Sequence, residues 1–323
     1  MQPHQPSLSR RKALLGSGAA LAAGALQARA AEEKSAAGKL KVAIFSKHLQ
    51  FLKGEALARG AAEIGFDGVD LSVRKGGHVE PERVREELPK LVAIIRQHGL
   101  EVPMLTTDIA DAQSPHAEDI LRTMSELGIR HYRWGGFKYD AARPLARQLE
   151  ELKPRVARLA DLNSRYKASA MYHTHSGTGV VGASIWDLYI VLKEFDPQAV
   201  GVNYDIGHAT VEGGAGGWIN SFRIIGAHLR GVAVKDFLWG KDAKGNWKAQ
   251  WTPLGGGMVR LPQFFGMLAA SRFAGPLQLH FEYSMGGAES GKTALTIPKQ
   301  EVSEIMKRDL QRLRGMLKDA ALA

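Results

Sequence analysis

Hydrophobic and polar positions along the chain fall into two alternating textures. Short runs dense in Val, Ile, Leu and aromatic residues occupy 40–45, 68–71, 102–106, 131–134, 168–173, 200–205, 231–235 and 277–282. Between them, over 56–64, 81–98, 117–127, 144–166, 184–195, 217–225, 261–270 and 301–322, apolar residues recur at three- and four-residue intervals, as one face of a helix requires. Gly65, Gly99, Gly128 and Gly275 follow four of the helical stretches, where a left-handed turn ends a helix most cheaply without a Cβ.

Strands separated by crossover helices must pair in parallel. Eight such units over roughly 290 residues predict an α/β fold, a single (β/α)8 TIM barrel with parallel strands. An open doubly wound sheet would use fewer strands and add a second domain, and no linker-like Pro/Gly/Ser tract divides 31–323. In a barrel the chemistry lies on the loops beyond the C-terminal strand ends. His48, Arg74, His78, Asp108, His173, His175, Asp205, His208, Lys235, Asp236 and Glu282 all fall there.

Composition narrows the chemistry. Hydrophobic residues are 45% and charged residues 24% of the 323, as expected of a globular fold. The chain has no cysteine, which excludes disulfides, thiolate metal sites and a cysteine nucleophile. Any metal must sit on nitrogen or oxygen donors. The net charge of +10 includes Arg10, Arg11, Lys12 and Arg29, leaving a mild excess without the clustered stripe that nucleic acid binding needs. No nucleic acid partner is expected.

The first residues predict an address. Ser9-Arg10-Arg11-Lys12 is a twin-arginine pattern, followed by an apolar stretch over 13–26 and an A-x-A cleavage site at Ala28-Arg29-Ala30. The stretch is shorter than the ~20 residues that span a bilayer. Residues 1–30 are therefore expected to be a signal peptide, placing the mature protein outside the cytoplasm or in a periplasm, free of the membrane after cleavage. Twin-arginine export carries folded proteins, which suits a chain that acquires a metal first.

Two nucleotide-like patterns are set aside. Gly177-Thr-Gly179-Val-Val-Gly182 fits G-x-G-x-x-G, but the following helix is expected to start later, capped by Ser184 with Asp187 completing a capping box. Gly286 to Thr293 fits a phosphate-loop pattern without a helix directly after it, and reads as a glycine loop over the barrel mouth.

Three strand ends converge on metal chemistry. Tyr172-His173-Thr174-His175, Asn203-Tyr204-Asp205-Ile206-Gly207-His208 and His280-Phe281-Glu282 would bring carboxylates from Asp205 and Glu282 and imidazoles from His173 and His175 to one divalent ion. Inward charges are costly unless paired or coordinating. Lys235 is placed to stabilise a developing oxyanion or to pair with Asp236. His48, Arg74 and His78 are expected to bind substrate, as is Trp239 on a glycine-containing insertion that runs from Trp239 to Trp251 and would cover the mouth.

The segments Phe45-Ser46-Lys47-His48, Gly65-Phe66-Asp67-Gly68-Val69-Asp70-Leu71, Tyr172-His173-Thr174-His175, Tyr204-Asp205-Ile206-Gly207-His208-Ala209, Val234-Lys235-Asp236-Phe237, Pro253-Leu254-Gly255-Gly256-Gly257 and Glu282-Tyr283 together resemble the sugar isomerase and epimerase proteins with a xylose isomerase-like barrel. The resemblance implies one divalent ion (manganese, cobalt, magnesium or zinc) and a small sugar as partner, with oligomerisation left open. It puts metal-holding carboxylates on Asp205 and Glu282 and a substrate-contacting imidazole on His208. It departs at two of the four ligand positions: His173 stands where the first glutamate belongs and Ala233 where a histidine precedes Lys-Asp. With one flanking glutamate missing, Glu282 remains as a base and either His173 or His175 is expected to act as ligand or base, and isomerisation, or elimination and hydration on a 3-keto-glycoside, is favoured over symmetrical epimerisation. Export favours a non-phosphorylated sugar. A nuclease of the same fold and a metal-free carbohydrate-binding barrel are the competing readings.

Overall fold

The structure, a computed structural model, describes residues 39–323; the twin-arginine segment and the A-x-A site lie outside them. Eight strands, β1 (Val42–Phe45), β2 (Gly68–Val73), β3 (Glu101–Thr107), β4 (His131–Trp134), β5 (Ser169–His173), β6 (Val200–Asp205), β7 (Leu229–Val234) and β10 (Leu277–Leu279), form a closed parallel barrel. Closure sets Val42 of β1 opposite Leu277 of β10, and Val232 of β7 opposite the same leucine. The alternation of strand and helix is thus realised as a single (β/α)8 barrel.

Helices α1 (Glu55–Ile64), α2 (Val84–Gln97), α3 (Ala117–Glu126), α4 (Leu145–Tyr166), α5 (Trp186–Leu192), α6 (Ile206–Gly213), α7 (Gly217–Ile225), α8 (Leu261–Ala270) and α9 (Lys299–Asp319) surround it. The main core lies between barrel and helices. Outward-facing Tyr204 of β6 stacks on Phe264 of α8 with ring centroids 5.9 Å apart and donates its hydroxyl to the Trp218 carbonyl of α7. Tyr132 of β4 likewise reaches Asn163 of α4 at 2.7 Å. Because successive strand residues face opposite sides, these outward aromatics fix their neighbours Arg133, Asn203 and Asp205 as inward.

Several local expectations change. Gly65 does end α1 in the left-handed conformation, but after α8 the left-handed residue is Arg272, and Gly275 serves a different need: a Cβ there would lie 2.2 Å from the Arg230 carbonyl oxygen. Ser184 is no cap; α5 starts after Ile185, and the Asp187 carboxylate instead accepts from the Gly182 N–H and the Tyr139 hydroxyl. The insertion expected as a loop is an antiparallel hairpin of β8 (Asp236–Lys241) and β9 (Trp247–Thr252). Helix α6 was not foreseen, because Asp-Ile-Gly-His reads as a loop. Among the described residues no helix is long and apolar enough to cross a membrane.

Candidate active site at the barrel mouth

Inward positions toward the ends of β2 to β6 carry polar side chains: Ser72, Thr106, Arg133, His173 and Asp205. On β5, Met171 and His173 point inward, since the Tyr172 hydroxyl between them binds outward to the Phe137 N–H and Val181 carbonyl. On β6, Asp205 is both the last strand residue and the N-cap of α6: its Oδ1 accepts the His208 N–H at 3.0 Å. That cap leaves Oδ2 turned to the barrel axis. On β10 the ladder runs one residue past the strand, with the His280 N–H donating to the Val234 carbonyl at 3.0 Å, so His280 keeps the inward phase of Gln278.

Donor atoms of His173, Asp205 and His280 therefore lie within 4.8 Å of one another, all buried. His173 Nε2 is 3.6 Å from Asp205 Oδ2, and its Nδ1 is held by the Asn203 amide at 3.1 Å. Burial holds the His173 and His280 imidazoles well below their usual range, so both are neutral with lone pairs to give. Burial pushes the Asp205 carboxyl up to about 6, against the opposing pull of Lys235. Asp205 Oδ2 and His280 Nε2 have no hydrogen-bond partner among the described residues. Leaving such atoms unsatisfied costs about 1–3 kcal/mol each, and one divalent cation on these borderline nitrogen and oxygen donors would satisfy both. The set fits a metal.

It is not the set expected. Glu282 and His175 stand outside it: Glu282 lies one inward step nearer the mouth, and His175 Nε2 faces the Arg133 guanidinium at 3.3 Å. Ala233 sits in register with Asp205 and Gln278 and offers no donor, while His280, overlooked because Glu282 matched the motif, brings the second imidazole. Strand alternation alone, counted inward from Gln278, marks His280.

Lys235 organises the upper layer. Its Nζ donates to Glu282 Oε1 at 2.5 Å and to His208 Nε2 at 2.7 Å, and lies 3.2 Å from Asp205 Oδ2, an ion pair by distance without hydrogen-bond alignment. With Nε2 accepting from the ammonium, His208 carries its proton on Nδ1, 2.8 Å from the Ser176 hydroxyl. The indole of Trp251 covers the ammonium at 4.3 Å. Gly207 allows this approach, since a Cβ there would meet Lys235 Cγ at 2.7 Å. Lys235 does not pair with Asp236, whose carboxylate turns away to accept N–H groups of Gly255, Gly257 and Val259.

The expected substrate contacts divide. Arg74 lies over the Phe45 ring, 5.4 Å from its centroid, beside a cavity of about 290 Å³ at the rim. His48 is fully buried behind His280 and accepts the Phe281 N–H. His78 faces away, both ring nitrogens held by Ser72 and the Leu52 carbonyl. Trp239 is an exposed hairpin residue against Phe237; Trp251, across the hairpin, is the tryptophan that reaches His208. The 286–293 segment holds a short 3-10 turn, Ala288–Ser290, braced by Glu289, and Gly291 packs on Lys47.

The sequence profile of xylose isomerase-like TIM barrels matches residues 58–313. The chain belongs to that family. Among solved structures, it is similar to a D-tagatose 3-epimerase-like protein (14% identity, 87% of this chain and 98% of that one, TM-score 0.64). It is also similar to the probable 3-DHS dehydratase AsbF of Bacillus anthracis (14%, 85% and 99%, 0.62). A third is a xylose isomerase-like barrel protein of Mycobacterium smegmatis in complex with magnesium (14%, 89% and 99%, 0.61). No curated protein sequence matches the chain. At these identities the structural likeness establishes the fold; chemistry must come from the residues.

Proposed function

We propose that this protein is a metal-dependent enzyme that moves a proton at the carbon beside a carbonyl of a small, non-phosphorylated sugar, in the manner of a sugar isomerase or epimerase. The observation that carries it is the pair of layers at the mouth: a buried His173–Asp205–His280 donor set with two unsatisfied atoms, directly below a Lys235–Glu282 pair. A divalent ion on the lower layer would supply electrophilic polarisation of a carbonyl oxygen. The rest is work for side chains. Glu282, about a quarter exposed, is the carboxylate open to substrate and takes the proton from carbon. Lys235 holds its Oε1 in place and has an N–H to offer the developing oxyanion. His208, neutral and locked in one tautomer, fixes Lys235 from the other side, and the neutral His173 remains a donor rather than a second base.

Elimination of water is the second reading. It is favoured by the presence of one mouth-facing carboxylate where symmetrical epimerisation uses two, and it is compatible with a dehydratase among proteins of similar fold. The two readings share the first proton transfer and differ in what leaves next.

The test is proton exchange in D2O. Chain loaded with Mn2+ is incubated with ketoses and 3-keto-glycosides and followed by proton NMR. Deuterium at the carbon beside the carbonyl, lost in Glu282→Gln and after EDTA, is the expected result. Exchange that persists in both would refute the proposal, and exchange accompanied by a vinylic product would select elimination.

A further inference from the structure

The mouth carries cations that its own acids do not neutralise. Lys235 is engaged by Glu282 and Asp205. Arg133, inward on β4, has no carboxylate within 4 Å among the described residues; its one side-chain partner is His175, whose ring sits 4.6 Å from that of His173. Asp70 is spent on Thr106, whose hydroxyl donates to both of its oxygens at 2.9 Å. Burial also pushes Asp70 up to about 7, so it is only partly charged near neutrality. On the opposite flank, Lys47 Nζ and the Arg74 guanidinium lie over the same Phe45 ring at 5.6 and 5.4 Å, and that ring is 5.3 Å from His280. Neither cation has an ion-pair partner among the described residues, and both line the rim cavity of about 290 Å³, whose Asp108 accepts instead from the Lys75 N–H.

Burial weakens these charges without removing them: Lys47 is pushed down to about 8 and Arg133 to about 10. Arg133, Arg74 and Lys47 repel one another, Asp70 and Glu282 offset this only from beyond ion-pair distance, and an anion delivered between them would be bound strongly. Arginine's planar fork suits a carboxylate in particular.

Resting on the proposed sugar chemistry, we infer that the substrate is an acidic sugar, a uronate or keto-aldonate, whose carboxylate is held by Arg133, Arg74 and Lys47 while its carbonyl end faces Glu282. Arg133 binds the acid group within the barrel, and Lys47 and Arg74 close over it from the rim.

Calorimetric titration of the full chain, with Mn2+ present, compares each of D-glucuronate, D-galacturonate and 2-keto-D-gluconate with its neutral parent sugar, and with inorganic phosphate. At least one acid is expected to bind 30-fold or more tighter than its parent. Arg133→Gln should erase that preference by roughly 30-fold, the loss typical when one partner of a buried charge pair is removed, while Mn2+ binding persists. Arg74→Gln, at the rim, should cost a few-fold, and decides the matter if Arg133→Gln does not fold. The inference is overturned if no acid outbinds its parent, if the preference survives both substitutions, or if phosphate binds tighter than every carboxylate. These outcomes separate from the proton-exchange test: exchange on neutral sugars without acid preference sinks this inference alone, and acid binding without exchange sinks the catalytic reading alone.

Discussion

Substituting Asp205→Asn isolates the electrostatic cost of the lower layer. The amide keeps the side chain's volume and a cap oxygen for the His208 N–H, and Asn caps a helix about as well as Asp. What disappears is a buried negative charge. Burial raises the Asp205 carboxyl from 3.8 to about 6, so the folded chain holds that proton through about two further pH units than the unfolded chain, at about 1.4 kcal/mol each. A carboxyl raised by folding contributes stability below its unfolded value and loses it as pH rises through the folded one. At pH 7.5 the loss is complete, and ionised Asp205 costs the metal-free fold roughly 3 kcal/mol. Lys235 keeps Glu282 as partner in the variant. The metal-free variant should therefore melt about 6 °C above the metal-free native chain, at about 2 °C per kcal/mol for a domain of this size, with the difference shrinking as pH falls toward 4. Mn2+ at about 100 times its dissociation constant should then raise the native chain by about 2.7 kcal/mol and leave the variant unchanged. Scanning calorimetry in EDTA and in Mn2+ reads both effects. A variant less stable than the native chain in EDTA at pH 7.5, or one that responds equally to Mn2+, would refute the reasoning.

His280→Ala should lower Mn2+ affinity by at least tenfold in equilibrium dialysis, whereas His175→Ala should leave it within about twofold, because only the first removes a donor from the buried set. Glu282→Gln should retain the metal and reduce proton exchange by roughly 100- to 10,000-fold, the usual contribution of a positioned base. Metal affinity should fall as pH drops below about 6, where Asp205 takes up its proton, and a flat affinity from pH 5 to 8 would contradict the assignment. Away from the site, Phe264→Ala removes the ring beneath Tyr204 and should destabilise the fold by about 3–5 kcal/mol in urea titration.

The barrel itself is legible because short, densely apolar runs alternate eight times with stretches of 3.6-residue period, and that order of strand and helix points to one closed parallel sheet. His173, Asp205 and Lys235 were legible for the same reason, being polar at inward strand ends. The site's partition was not. Glu282 matched a motif and was read as a ligand, while His280, two residues earlier, was passed over as ordinary strand sequence. Arg133 escaped notice because an arginine between Tyr132 and Trp134 looks like surface until both aromatics are seen to face the helices. His78 and His48 sit where barrel chemistry belongs, yet both His78 nitrogens are taken by Ser72 and Leu52, and His48 is fully buried with its Nε2 accepting the Phe281 N–H.

Local chemistry along the chain sets which segments become strands and helices, their parallel order, the absence of thiol ligands, and the concentration of ionisable groups at one end of the barrel. Which of those groups come within reach of one another follows only once the chain has folded. Interactions between side chains fall off over a few ångströms, and the neighbours that matter here, Asp205 with Lys235 and His280, Lys235 with Glu282, Lys47 with Arg74, come from different strands whose spacing along the chain carries no distance information until the barrel closes.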